Sequence, residues 1–133
     1  VLLRALPGVA ASRVLLIGLG NPGELTDRGF IDAVKLAIKQ AGSGTREITL
    51  AAGEWSVKGR DAAWQARALV TAARETAFRT DEMKSKKDDE AQGVARVAVL
   101  AAARDAALET ALKQGVALAN GMDLGKRLGN LPG

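Results

Sequence analysis

Residues 13–42 read RVLLIGLGNPGELTDRGFIDAVKLAIKQAG, and this stretch decides the fold class. The apolar run within 13–19 does not alternate with polar residues, which is typical of a buried strand. A glycine-rich loop follows, and Thr26 or Asp27 can then cap a helix. Apolar residues recur at helical spacing as far as Ala41, where the next residue is a glycine. The stretch therefore predicts a strand, a tight loop and an amphipathic helix.

The same alternation continues along the chain. Short strands are predicted at 48–51 and 94–101, and helices after Asp61 and from about Asp105. Trp64 lies off the main apolar stripe of its helix, so we expect it to cover a sheet edge or a partner surface. Three strands that alternate with three helices indicate an α/β domain, with three αβα layers and a mostly parallel sheet.

The last predicted helix contains three glycines four residues apart, Gly121, Gly125 and Gly129. Each glycine inside a helix costs about 1 kcal/mol relative to alanine, so a row of them needs a reason. One reason is that the helix ends there, and the other is a partner that packs very closely. We expect close packing as far as Gly125 and fraying beyond it.

The composition excludes several classes of chemistry. The 133 residues contain no histidine and no cysteine, so Ser-His-Asp and Cys-His nucleophiles and His-containing zinc sites are ruled out. The absence of cysteine is compatible with a cytoplasmic setting. No apolar run reaches the ~18 residues that indicate a membrane span. The length fits one domain.

The glycine loop is a candidate phosphate-binding site. Gly18, Gly20 and Gly23 match the G-x-G-x-x-G pattern, whose backbone N–H groups can hold a nucleotide pyrophosphate at a helix N-terminus. Pro22 removes one donor, and the helix is predicted to begin about three residues after the last glycine. A plain strand-to-helix turn is therefore the favoured interpretation, with a nucleotide or phosphate module as the alternative.

The net charge of +4 admits a weak attraction to DNA. The basic run 84–87 is its strongest feature, but acidic clusters at 81–82 and 88–90 flank it. Those carboxylates could instead hold a hard cation. A charge-mixed, solvated loop is the favoured interpretation, and DNA binding stays an alternative.

The end of the chain carries a family resemblance. Residues 120–132 read NGMDLGKRLGNLP, in which Arg127, Leu128, Asn130 and Pro132 form an Arg-x-Leu-x-Asn-x-Pro pattern. This pattern resembles the helix that precedes the catalytic domain in the leucyl aminopeptidases, also called cytosol aminopeptidases. The segment RVLLIGLG at the start of the quoted stretch and the run around Phe78 to Lys87 are similar to further parts of the same amino-terminal domain.

The resemblance implies a macro-domain-like fold and a parent hydrolase that removes amino-terminal residues, Leu preferred. It implies two divalent cations, Zn or Mn, held with the catalytic residues in a carboxyl-terminal domain whose motifs are not found here. No catalytic, cofactor-binding or metal-binding residue can therefore be assigned in this chain, which alone should be inactive. The implied parent is cytoplasmic and hexameric, with this domain shaping oligomer contacts and access to the active site.

The resemblance also predicts how the chain divides. We expect residues 1–103 to form the amino-terminal α/β domain, with its opening strand missing, and residues 104–133 to form a linker helix to the catalytic domain. A sheet without its edge strand exposes unpaired backbone groups, so we also expect the chain to self-associate.

Overall fold

The computed structural model describes residues 1–21, 23–41, 44–77, 94–101 and 106–130. The chain forms an α/β fold, as the sequence predicts, with elements in the order ββαβαβα and a short 3₁₀ turn after the third strand. The strands are β1 (Leu2–Arg4), β2 (Arg13–Leu15), β3 (Glu47–Leu50) and β4 (Arg96–Val99), and the helices are α1 (Asp27–Ala41), α2 (Ala62–Ala77) and α3 (Ala106–Gly129).

The sheet differs from the prediction of a mostly parallel arrangement. The described strands form two pairs: β1 with β2 is antiparallel, with Leu3 opposite Val14, and β3 with β4 is parallel, with Ile48 opposite Val97. The sequence predicts no strand at β1, because three residues are too few to show a periodicity. Its presence turns the first predicted βα unit into a hairpin followed by a helix.

Helices α1 and α2 begin where the sequence predicts a cap. The Thr26 hydroxyl accepts a hydrogen bond from the backbone N–H of Gly29 at 3.2 Å, so Thr26 caps α1. The Asp61 carboxylate accepts one from the N–H of Trp64 at 2.7 Å and caps α2. The fraying expected at the end of α3 is wrong, since that helix continues to Gly129.

The core lies where α1 and α2 pack together. Phe30 is completely buried and contacts both tryptophans, with ring centroids 5.6 Å from Trp55 and 5.9 Å from Trp64. Trp64 thus covers the side of α1. The other buried residues are small or aliphatic: Leu25, Val34, Ala37, Ile38, Leu50, Ala52, Val57, Leu69, Ala72 and Ala73.

Arg13 connects the hairpin to the end of α1. Its guanidinium donates to the backbone carbonyl of Ala41 at 3.2 Å and to the hydroxyl of Thr45, which itself donates to the same carbonyl at 2.6 Å. A cation at a helix C-terminus is favourable for the helix dipole. The side chain therefore satisfies an end carbonyl of α1 and holds β2 against that helix.

Helix α3 packs on α2 through small residues. Ala111, Gly115 and Ala119 are buried and are spaced four residues apart, so they lie on one face of the helix. A Cβ built on Gly115 would lie 2.9 Å from the Cβ of Val70 and 3.2 Å from the Cα of Arg67. The two helices therefore approach closely at this glycine.

Candidate functional site

The glycine loop is a turn that leads into α1. Gly20 and Gly23 have φ values of +80° and +81°, which favour glycine. The backbone N–H of Glu24 donates to the carbonyl of Asn21 at 3.2 Å, and the Asn21 amide donates to the Glu24 carboxylate at 3.0 Å. The loop is thus held by hydrogen bonds between its own residues, and the Glu24 carboxylate lies at its carboxyl-terminal end. No atom of the described residues comes within 4 Å of a Cβ built on Gly18, Gly20 or Gly23.

The N-terminus of α1 already holds a negative charge. Asp27 lies in its first turn, and the Arg60 guanidinium donates to both carboxylate oxygens, with Nε at 3.0 Å from each. An incoming phosphate would meet the Glu24 carboxylate, and the Arg60 guanidinium that could attract it is already bonded to Asp27. These features are typical of the plain turn that the sequence favours. Phosphate binding at Gly18, Gly20 and Gly23 stays a prediction.

Asp27 and Arg60 form a hydrogen-bonded ion pair. The hydrogen bond from Arg60 lowers the pKa of Asp27 below its ordinary value of 3.8, and the bond to Asp27 raises the pKa of Arg60. The guanidinium also lies over the ring of Trp64, 4.9 Å from its centroid. This cluster fastens the loop before α2 to the start of α1, and its charges neutralise one another.

Metal-ligating side chains do not come together among the described residues. The whole chain has no histidine or cysteine, and no three Asp or Glu side chains come together in the described part as metal ligands would. Several acids instead contact a base, as Glu75 does with Lys35 at 3.0 Å. The charged runs 81–82, 84–87 and 88–90 lie outside the described residues, so the cation and DNA alternatives that they suggest stay predictions.

An apolar cavity of about 730 Å³ lies between α2, β4 and α3. Its walls are mostly aliphatic, including Leu69, Val97 and Leu112. Arg74 is at its margin and is engaged with the Asp123 carboxylate of α3 at 2.8 Å. Among the described residues, the lining includes one carboxylate, that of Glu109, and no serine, threonine or cysteine.

The linker motif lies at the end of α3. Arg127 and Leu128 are in its last turn and are exposed, and the backbone N–H of Asn130 donates to the carbonyl of Lys126 at 3.1 Å. Pro132 is outside the described residues. The motif residues therefore end a helix rather than line a site.

Helix α3 makes a close contact with α2 at Gly115, and the closely packing partner that the sequence predicts as far as Gly125 stays a prediction. A Cβ on Gly121, Gly125 or Gly129 would meet no atom of the described residues within 4 Å. The sequence does carry the signal for the true contact, in the four-residue spacing of Ala111, Gly115 and Ala119. What it lacks is the information on which of two small-residue stripes faces α2.

The described helices include none that is both long enough and apolar enough to cross a bilayer.

Comparison with known proteins identifies relatives along the whole chain. Residues 1–87 match the family model of the cytosol aminopeptidase family, N-terminal domain. A probable cytosol aminopeptidase of Paraburkholderia phymatum is 42% identical over 135 residues, and the match covers 100% of this chain and 27% of that relative. One of Nitrosomonas europaea is 41% identical and is likewise covered over 27% of its length. The chain thus spans about 27% of the length of these curated relatives.

A solved structure shares the fold. The bottromycin maturation enzyme BotP in complex with Mn superposes with a TM-score of 0.76 at 27% sequence identity. The superposition covers 99% of this chain and 26% of that chain.

Proposed function

Because the chain belongs to the cytosol aminopeptidase family, as its N-terminal domain, we propose that it is the non-catalytic part of a metal-dependent leucyl aminopeptidase. The observation that carries this proposal is the family match over residues 1–87 of a chain without histidine or cysteine. The parent enzyme would remove amino-terminal residues from peptides, Leu preferred. This domain would contribute to oligomer architecture and to access to the active site.

The catalytic groups belong, in this proposal, to a carboxyl-terminal domain of the same polypeptide. Two-metal hydrolysis needs cations about 3.5–4 Å apart, held by several converging ligands. The described carboxylates do not converge, so the residues present do not fit such a pair. The two divalent cations, Zn or Mn, would therefore be held outside this domain. The presence of Mn in the BotP structure supports metal dependence of the parent.

We also propose how the chain divides into a domain and a linker. Residues 1–103 would form the α/β domain, with three αβα layers in a macro-domain-like arrangement, and residues 104–133 would form the linker. The superposition on BotP supports a common domain architecture. A cytoplasmic, hexameric parent is what the family resemblance implies.

The test compares this chain with the longer polypeptide that contains it. Both are assayed with leucine p-nitroanilide in the presence of Mn²⁺ or Zn²⁺. We expect turnover from the longer polypeptide, lost on chelation, and none from the 133-residue chain above a metal-only blank. Turnover by the short chain well above that blank would overturn the non-catalytic assignment. A longer polypeptide that is folded, metal-loaded and inactive would overturn the aminopeptidase assignment.

A further inference from the structure

The second half of α3 presents an unpartnered apolar surface. We define the α3 apolar face by the residues between 118 and 128 that lie on one side of the helix: Leu118, Gly121, Met122, Leu124, Gly125 and Leu128. Its four large side chains are between 43% and 60% exposed. A groove of about 770 Å³ that also contacts Arg67 of α2 extends this face toward the rest of the domain.

The face adjoins the one that holds α3 on α2, since Leu118 and Met122 lie three residues after the buried Gly115 and Ala119. The buried positions Ala111, Gly115 and Ala119 end at the midpoint of the 24-residue helix. Farther along, the described tie to α2 is polar: Arg74 donates to the Asp123 carboxylate at 2.8 Å and to the Asn120 side chain at 3.1 Å. Asn120 and Asp123 therefore point toward α2 in this region, and the large apolar side chains of the face stay more than 40% exposed.

Exposed apolar side chains that lie close together can mark an interaction surface. The four large side chains of the α3 apolar face are all more than 40% exposed. Glycines within the face would let a neighbouring element approach the helix backbone closely, as Gly115 does for α2. A helix whose apolar residues gather on one side packs that side against another part of a protein.

The relatives indicate the occupant. The alignment with the Paraburkholderia phymatum protein covers all of this chain, α3 included, and 27% of that relative, while the matched family domain is the amino-terminal one. A long carboxyl-terminal part therefore follows α3 in such proteins. A domain joined covalently to the end of this helix has a high effective concentration at its surface, an advantage that a second copy of the chain lacks.

We propose that the α3 apolar face docks against the carboxyl-terminal domain of the same polypeptide, so that one continuous helix belongs to the cores of both domains. This inference rests on the proposed function for the existence of that domain. It goes further in naming the surface by which the two parts are joined.

Thiol labelling tests the proposal, because the chain has no cysteine of its own. Leu124→Cys places a thiol in the α3 apolar face, and Lys113→Cys places the control on an exposed polar position of the same helix. Each variant is made in the 133-residue chain and in the longer polypeptide. The rate of alkylation by N-ethylmaleimide at each site is followed by peptide mass spectrometry.

We expect the thiol of Leu124→Cys to react at least 10-fold more slowly in the longer polypeptide than in the short chain, and that of Lys113→Cys to react equally in both. Equal rates for Leu124→Cys in the two proteins would overturn the proposal. Protection that is already present in the short chain and grows with its concentration would assign the face to a second copy, and would overturn it too. Labelling does not depend on turnover, so the labelling result can be interpreted even if the aminopeptidase assay shows no activity.

A second variant addresses coupling between the domains. Leu124→Lys should leave the unfolding midpoint of the short chain nearly unchanged, because lysine has nearly the helix propensity of leucine and the side chain is 58% exposed there. In the longer polypeptide it should split a single thermal transition into two. One unchanged transition in the longer polypeptide would contradict the docking.

Discussion

Replacing Gly115 by alanine should destabilise the domain, whereas the same change at Gly121 should stabilise it. Both glycines lie inside α3, so each alanine gains about 1 kcal/mol of helix propensity. The surroundings differ. Gly121 has no atom of the described residues within 4 Å of a built Cβ, but at Gly115 that atom would lie 2.9 Å from the Cβ of Val70.

The clash at Gly115 has little room to relax. The new Cβ would also lie 3.2 Å from the Cα and 3.3 Å from the carbonyl oxygen of Arg67. These are backbone atoms of α2, so the helices themselves must move apart. Overpacking of a close contact costs about 1–3 kcal/mol, which offsets the propensity gain. The difference between Gly115→Ala and Gly121→Ala should therefore be roughly 1–3 kcal/mol, since the propensity contribution cancels.

Urea unfolding followed by far-ultraviolet circular dichroism measures this difference. With an m value of about 2 kcal/mol per molar urea, the two midpoints should be separated by roughly 0.5–1.5 M, with Gly115→Ala the lower. A wild-type control gives the sign of each shift. Equal stabilisation by both alanines would refute the close approach of α2 and α3 at Gly115.

Two further predictions concern the core and the cluster at the start of α1. Phe30→Ala should lower the free energy of unfolding by about 3–5 kcal/mol, measured by the same urea titration, because the ring is completely buried between Trp55 and Trp64; a loss below about 1 kcal/mol would contradict that packing. The pKa of Asp27 is lowered in the folded state by its hydrogen bond from Arg60, so the contribution of this carboxylate is fully present above its ordinary pKa of 3.8 and is lost as the pH falls through the lowered value. Thermal melts between pH 6 and about 2 should therefore show a steeper acid loss for the wild type than for Asp27→Asn, and parallel pH profiles would contradict the pair.

The sequence is sufficient for the helices because their signals are local. Thr26 and Asp61 cap α1 and α2 as the sequence predicts, and the apolar spacing around Phe30 identifies the buried face of α1. Capping and periodicity depend on residues within one or two turns, so no knowledge of the fold is needed.

The strands and the candidate site depend on contacts between residues that are far apart in the sequence. The sequence is less informative about such contacts. The pairing of Leu3 with Val14 and of Ile48 with Val97 is set by elements that meet only after folding. The same holds for the choice of Gly115 over Gly121 as the contact with α2. The pattern of Gly18, Gly20 and Gly23 is visible in the sequence. The hydrogen bonds of the nearby Glu24 and Asp27 carboxylates depend on how the turn folds, so the sequence does not show them.

The bonds made by Arg13 have a consequence for the order in which the protein opens. The Arg13 guanidinium connects β2 to the last turn of α1, so unfolding of either element breaks hydrogen bonds of the other. Amide protons of the hairpin and of the final turn of α1 should then exchange with solvent as one cooperative unit, even though 28 residues separate Arg13 from Ala41 in the chain. The amino-terminal hairpin thereby has a local stability set by a helix rather than by its own two short strands.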